Sequence, residues 1–328
     1  MTRSSTLPLS AGGRTRRNVI HPLLLLVIPG RAGGANPESR KKIFGTWLWI
    51  PGSRAAHAPR NDRKISAFFI VLVASIVALF SALPAFAASD KEPAPAGAFE
   101  GAPAQYTRFT AAELTRGFLT LAFGSDLRVG ARPRGIRRFD HPISIRIFSM
   151  GRVDRGARMR AIIEEYARKV PNLRLSIASD GQPADIDLRL IDEQDFKSAL
   201  IAAFGVKIAR IFVARTNPQC MTSVKSNREG DILYAVSFII VDKGDRVFLD
   251  CAYHELLHAF GLSNHDQRNR WTTLNQKRMV GYLTVYDRAL LTLLYDPRVT
   301  PGMGPTRVRA LLPGVIADLG LAAPVPAK

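Results

Sequence analysis

Cysteine is scarce. Among 328 residues there are only Cys220 and Cys251, and neither lies where an exported chain would be lipidated, which excludes the lipid anchor of bacterial lipoproteins. Acidic residues are also few, 27 against 46 Lys and Arg. The surplus is uneven: residues 1–64 hold twelve basic and two acidic side chains, a net of +10, and residues 88–328 carry the other +9. A basic body of this size suits an anionic envelope surface and gives little reason to expect nucleic acid. No internal repeat is present, which excludes a solenoid or a propeller. With 47% hydrophobic and 22% charged residues the chain is neither mainly disordered nor fibrous, and its length allows one large domain or two small ones.

Charge is absent altogether from Ile65 to Ala87. Arg60, Arg63 and Lys64 precede this apolar run, Ala85-Phe86-Ala87 ends it, and polar Ser89-Asp90 follow. That is the order of a secretory signal cleaved after Ala87, although the run is also long enough for an uncleaved membrane anchor. No methionine stands between Met1 and Met150 to mark a later start. Residues 1–57 therefore read as an upstream extension from a start codon assigned too early, and 58–87 as the signal peptide. Residues 88–105, rich in Ala, Pro and Gly, read as a flexible linker, and 106–322 as the folded domain, a monomer in the periplasm or outside the cell. In an exported chain Cys220 and Cys251 suit a disulfide closing a loop of about 30 residues, worth roughly 3 kcal/mol through loop entropy. Two buried free thiols are the alternative.

Hydrophobic spacing divides the body into alternating elements. Thr110 with Glu113 caps a helix whose apolar face is Leu114, Phe118, Leu121 and Ala122, ended by Gly124. Ser125–Asp140, with Arg128, Arg132, Arg134, Arg137 and Arg138, reads as an exposed basic connection. Strands are expected at Pro142–Phe148, Leu173–Ile177, Ile186–Ile191, Ile211–Ala214 and Ile232–Val241, and helices around Ala157–Ala167 and Asp195–Phe204.

The chemistry concentrates in Cys251-Ala-Tyr-His254-Glu255-Leu-Leu-His258-Ala-Phe-Gly261-Leu-Ser-Asn264-His265-Asp266. Four residues advance a helix by about 400°, so His254 and His258 stand about 40° apart and one turn along the axis, where both imidazoles meet one metal ion. Two imidazoles on a rigid helix suit zinc, and Glu255 is placed to take a proton from a zinc-bound water attacking a carbonyl. The chance expectation of His-Glu-x-x-His in this composition is about 0.003. Of the four histidines after the signal, His141, His254, His258 and His265, three fall within twelve residues. The competing reading is a buried helix whose histidines bond only to neighbours.

This segment resembles the metzincin zinc-protease signature, in which the chain turns at a glycine and returns a third histidine to the metal. The family's third histidine falls six residues after the second, where Asn264 stands here, and the resemblance implies His265 as third ligand, with Asp266 as runner-up. It also implies a methionine in a tight turn about eight residues on, a stretch here occupied by Thr272-Thr273-Leu274-Asn275. Leu283-Thr284 through Asp287 to Leu294-Tyr295 is similar to the final helix of metzincins such as the matrixins. The implied fold is α+β: a metzincin-like zincin domain with a twisted mixed sheet, an active-site helix and a small C-terminal helical part.

A second resemblance covers most of residues 106–320. It runs through Gly117-Phe118, Ala122-Phe123-Gly124, Cys220, Cys251, Gly261-Leu262, Asn264, Tyr295-Asp296-Pro297-Arg298 and Pro301-Gly302-Met303, and it is similar to the DUF2927 family of exported bacterial proteins. Many members carry Glu and Gln where this chain has His254 and His258, so membership alone does not imply zinc. Two functions follow as expectations. One is an exported zinc metallopeptidase acting on a peptide or protein, with Glu255 catalytic and Zn2+ held by His254, His258 and His265. The other is a non-catalytic periplasmic or envelope protein on a zincin scaffold.

Overall fold

The computed structural model describes residues 25–29, 91–124, 133–179, 181–216 and 218–322, all within one compact unit. The expected signal peptide lies outside the described residues. The strands are β1 (Leu25–Pro29), β2 (Lys91–Glu92), β3 (Gln105–Tyr106), β4 (Ile143–Ser149), β5 (Leu175–Ile177), β6 (Ile186–Ile191), β7 (Cys220–Ser226) and β8 (Ile232–Ile240). The helices are α1 (Ala111–Phe123), α2 (Gly156–Lys169), α3 (Glu193–Phe204), α4 (Val206–Thr216), α5 (Asp245–Ala259), α6 (Val285–Leu294) and α7 (Pro305–Asp318). The architecture is α+β around a mixed five-stranded sheet in the order β5-β4-β6-β8-β7. In it β4 pairs in parallel with β5 and β6, β6 in parallel with β8, and β7 runs antiparallel to β8. Outside β7, β1 adds a further antiparallel strand, Leu25 opposite Lys225 and Pro29 opposite Met221. Among the described residues no helix is long and apolar enough to cross a membrane.

Local chemistry accounts for the element boundaries. Thr110 and Glu113 form the expected capping box: the Glu113 amide donates to the Thr110 hydroxyl at 3.2 Å and the Thr110 amide to the Glu113 carboxylate at 2.8 Å. Thr284 caps α6 through the Asp287 amide at 2.9 Å. The β7–β8 hairpin closes where Asn227 accepts from the Asp231 amide at 2.8 Å and donates to the Asp231 carboxylate at 2.7 Å, with Gly230 supplying a positive φ.

Both faces of the sheet are covered along Ala235–Ile240 of the central strand β8, where the one polar side chain, Ser237, bonds to the Thr222 hydroxyl at 2.7 Å. Ala235 and Ile239 face the main core with α5, while Val236, Phe238 and Ile240 face a second cluster with Phe196 and Leu200 of α3 and Ala209 of α4. That second layer corrects one expectation. Ile211–Ala214, read as a strand, is part of α4, because a four-residue apolar run does not distinguish a strand from a buried helix turn, and Gly205 at φ +81° separates α3 from α4.

Two further expectations change. Residues 91–104, read as flexible linker, are built into the domain: β2 pairs with β3, Phe99 is buried in the core, and the Tyr282 hydroxyl donates to the Pro103 carbonyl at 2.7 Å. Arg137 and Arg138, read as exposed, are buried. Arg138 donates to the Leu294 and Asp296 carbonyls at 3.0 and 3.3 Å and stacks on Tyr295, tying the loop to the end of α6. Burial lowers the pKa of Arg137 to about 10. Residues 125–132 of that basic stretch lie outside the described residues.

Candidate metal centre

Helix α5 is enclosed on every side from Phe248 to Ala259. A helix buried all round must be held by specific contacts as well as by an apolar stripe. Cys251 is joined to Cys220 of β7 by a disulfide, which settles the choice left open between a bridge and free thiols. Tyr166 of α2 donates to the Tyr253 carbonyl at 2.9 Å, and Tyr295 donates to the Phe260 carbonyl at 3.0 Å. His254 and His258 therefore project from a fixed backbone, their ring centroids 4.7 Å apart.

The helix ends in a turn that returns the chain to its own face. Gly261 has φ +120°, its amide donates to the His258 carbonyl at 3.0 Å, and the Leu262 amide donates to the Leu257 carbonyl at 3.1 Å, a Schellman arrangement. A Cβ at Gly261 would stand 2.1 Å from the Arg137 carbonyl oxygen, so the position excludes every other residue on two grounds. Gly261→Ala is expected to cost about 2–4 kcal/mol from the strained φ and the displaced Arg137 backbone. The measurement is the denaturant midpoint at unchanged m-value, and a midpoint equal to wild type contradicts the assignment.

Past this turn, His265 comes back to the helix. Its Nε2 lies 2.9 Å from that of His254 and 3.2 Å from that of His258, and the latter two are 3.1 Å apart. All three side chains are buried. The remaining ring nitrogens explain what this triangle is. His254 Nδ1 lies 3.1 Å from the Thr273 carbonyl oxygen and His258 Nδ1 lies 2.5 Å from that of Leu262. A carbonyl only accepts, so each Nδ1 carries the hydrogen and each Nε2 presents a bare lone pair to the centre. Burial, with the neighbouring His265, holds the pKa of His258 well below its usual value and so keeps that ring neutral. Such a convergence of ring nitrogens suits a cation. Two imidazole nitrogens bound to one tetrahedral zinc at 2.0–2.1 Å stand about 3.3 Å apart, and the observed triangle lies within a few tenths of an ångström of that spacing. The donor set therefore fits zinc, and these three residues form a group able to hold a metal ion.

The runner-up residues are turned elsewhere. Asp266 accepts from the Arg268 amide at 3.1 Å and Asn264 donates to the Thr120 carbonyl at 3.0 Å, which pins the loop to the end of α1. His141 is exposed and bonds to Asp185 at 3.1 Å. Glu255, next to His254 on the same helix, is fully buried, and its carboxyl has only the Thr222 hydroxyl for a neighbouring donor. Burial pushes its carboxyl well above the usual range, opposed by the Thr222 hydroxyl and reinforced by the charge of Asp250.

Residues with no motif of their own orient the ligands. The Thr273 carbonyl that receives His254 belongs to the turn at Thr272–Asn275, where the metzincin resemblance implied a methionine. Asp287 of α6 holds that turn: it accepts from the Thr272 hydroxyl at 2.5 Å, the Thr273 hydroxyl at 2.6 Å and the Thr273 amide at 2.8 Å. Burial raises the pKa of Asp287, and these donors oppose the rise. Asp287 also stands in the first turn of α6, where a negative charge suits the helix start. Its reach to a turn fourteen residues upstream is a tertiary contact that no local pattern reveals, and such outer partners commonly govern metal affinity.

A mixed sheet backed by a buried helix that supplies two of three convergent imidazoles defines an α+β protein with a candidate three-histidine metal centre. Residues 111–314 match the family described as protein of unknown function DUF2927, and the chain belongs to that family. No curated protein matches the chain.

Proposed function

We propose that this chain is an exported, metzincin-like zinc peptidase whose α+β domain is a zincin, acting on peptides or proteins. The observation that carries the reading is the convergence of the His254, His258 and His265 Nε2 atoms within 3.2 Å of one another. These three side chains would hold the ion, with Thr273, Leu262 and Asp287 fixing their orientation. Zinc, when bound, supplies a Lewis acid that brings the pKa of water toward 7 and polarises a peptide carbonyl. Glu255 would act as general base in its ionised form, which the positive charge of the ion would favour against the burial that raises its carboxyl, taking the proton of the attacking water and delivering it to the departing amide nitrogen. Glu255 follows His254 directly on α5, so the helix that holds two of the imidazoles also carries the base.

One observation favours the second reading, a non-catalytic envelope protein on the same scaffold: Glu255 and the three histidines are all buried. A broad peptide library separates the two. The peptidase reading expects zinc-loaded protein to cleave it, chelation to stop the cleavage and added zinc to restore it. A zinc-loaded protein that cleaves nothing leaves the scaffold reading in place.

A further inference from the structure

One polar side chain stands at the triad and has no part in the reading above. Gln276 follows the turn that receives His254, and its carboxamide nitrogen lies 3.4 Å from His265 Nε2. It is partly exposed, whereas the three imidazoles are buried, so it lies between them and solvent. Its carboxamide oxygen accepts from the Gln267 carboxamide at 3.3 Å, which holds the group across the mouth of the loop. Asn275, one residue earlier, donates to the Asn269 carbonyl at 2.7 Å and so fixes the backbone from which Gln276 projects.

Two features of this placement bear on the metal. Two donors on one tetrahedral zinc stand about 3.3 Å apart, and the Gln276 carboxamide is 3.4 Å from a histidine donor, at ligand-to-ligand distance. A carboxamide also presents a donor and an acceptor related by a half-turn of its last torsion. The N–H end faces His265 Nε2 at 3.4 Å. With an ion present the same half-turn brings the oxygen inward, and Gln267 turns in step to keep its bond. Asn264 and Asp266, the other amide and carboxylate of the loop, are held away by Thr120 and Arg268.

We infer that Gln276 supplies the fourth, neutral oxygen ligand of the metal in the resting protein. The inference rests on the metal reading proposed above. Its chemical consequence is that the chain's own carboxamide occupies the place of a substrate amide carbonyl, the same functional group. A substrate must displace it, and a neutral carbonyl oxygen is a weak enough ligand to leave.

Cobalt(II) titrated into the metal-free full chain tests this, because its visible absorption reports the ligand set without reference to activity. Gln276→Ala is expected to shift the cobalt spectrum as water replaces the carboxamide, and to weaken zinc about tenfold in competition with a chelator. Gln276→Glu is expected to shift it in a different way and to bind zinc more tightly than wild type, since an anionic oxygen replaces a neutral one. Far-ultraviolet circular dichroism and the metal-free melting temperature confirm the fold of each variant. A wild type that binds one ion, with spectrum and affinity unchanged in both folded variants, overturns this inference alone. A wild type that takes up no ion overturns it together with the metal reading.

Discussion

His254→Ala is expected to weaken zinc by about a hundred- to several thousand-fold, because losing one of three histidine donors from a site worth about 10–16 kcal/mol removes about 3–5 kcal/mol. His258→Ala and His265→Ala should do the same, and Asp266→Ala should change affinity by no more than a few fold. The reverse order of the last two would make Asp266 the ligand. Stability with and without metal adds a second discriminator. If the histidines were there to hydrogen-bond to one another, removing one would strand a buried partner and cost about 1–3 kcal/mol. A metal ligand trio predicts instead that the loss in His265→Ala is far larger in zinc-loaded than in metal-free protein, because the bound ion stabilises only the protein that can hold it. Chelator competition and thermal melts with and without zinc measure the two effects.

Glu255→Gln is the largest effect expected on activity. A general base contributes typically 10²–10⁴-fold, and peptide hydrolysis should fall by that factor while zinc content and melting temperature are kept. The substitution preserves shape and removes the proton acceptor. The carboxamide oxygen that it leaves still accepts from the Thr222 hydroxyl that neighbours the carboxyl. Turnover of a cleavable peptide from the library is the measurement, and a variant as active as wild type defeats the peptidase assignment while leaving the three-histidine site standing.

The parts of this molecule that local chemistry dictates were readable before any coordinates. The Thr110–Glu113 capping box, the strand β4 and the one-turn spacing of His254 and His258 each depend on residues three to seven apart. Gly261 was readable for the same reason, since a glycine three residues past a helical histidine marks a left-handed end. Strand β7 was not: Cys-Met-Thr-Ser-Val-Lys-Ser is polar by composition and becomes a strand through pairing with β8. α7 was also missed. The burial of Arg137 and Arg138 depends on a distant helix end, and arginine by itself signals surface. In the site, the choice of His265 over Asp266 needed the direction of the returning loop. The supporting roles of Asp287 and Gln276 needed the packing of the Thr272–Asn275 turn against α5 and α6.

The central claim is that three buried imidazoles form a metal site. Residues 88–328, exported and folded in the periplasm, then stripped of metal, dialysed against zinc and analysed for metal by mass, test it most directly. The account predicts about one zinc per chain in wild type and much less in His254→Ala when zinc is limiting; a wild type that returns without zinc contradicts it.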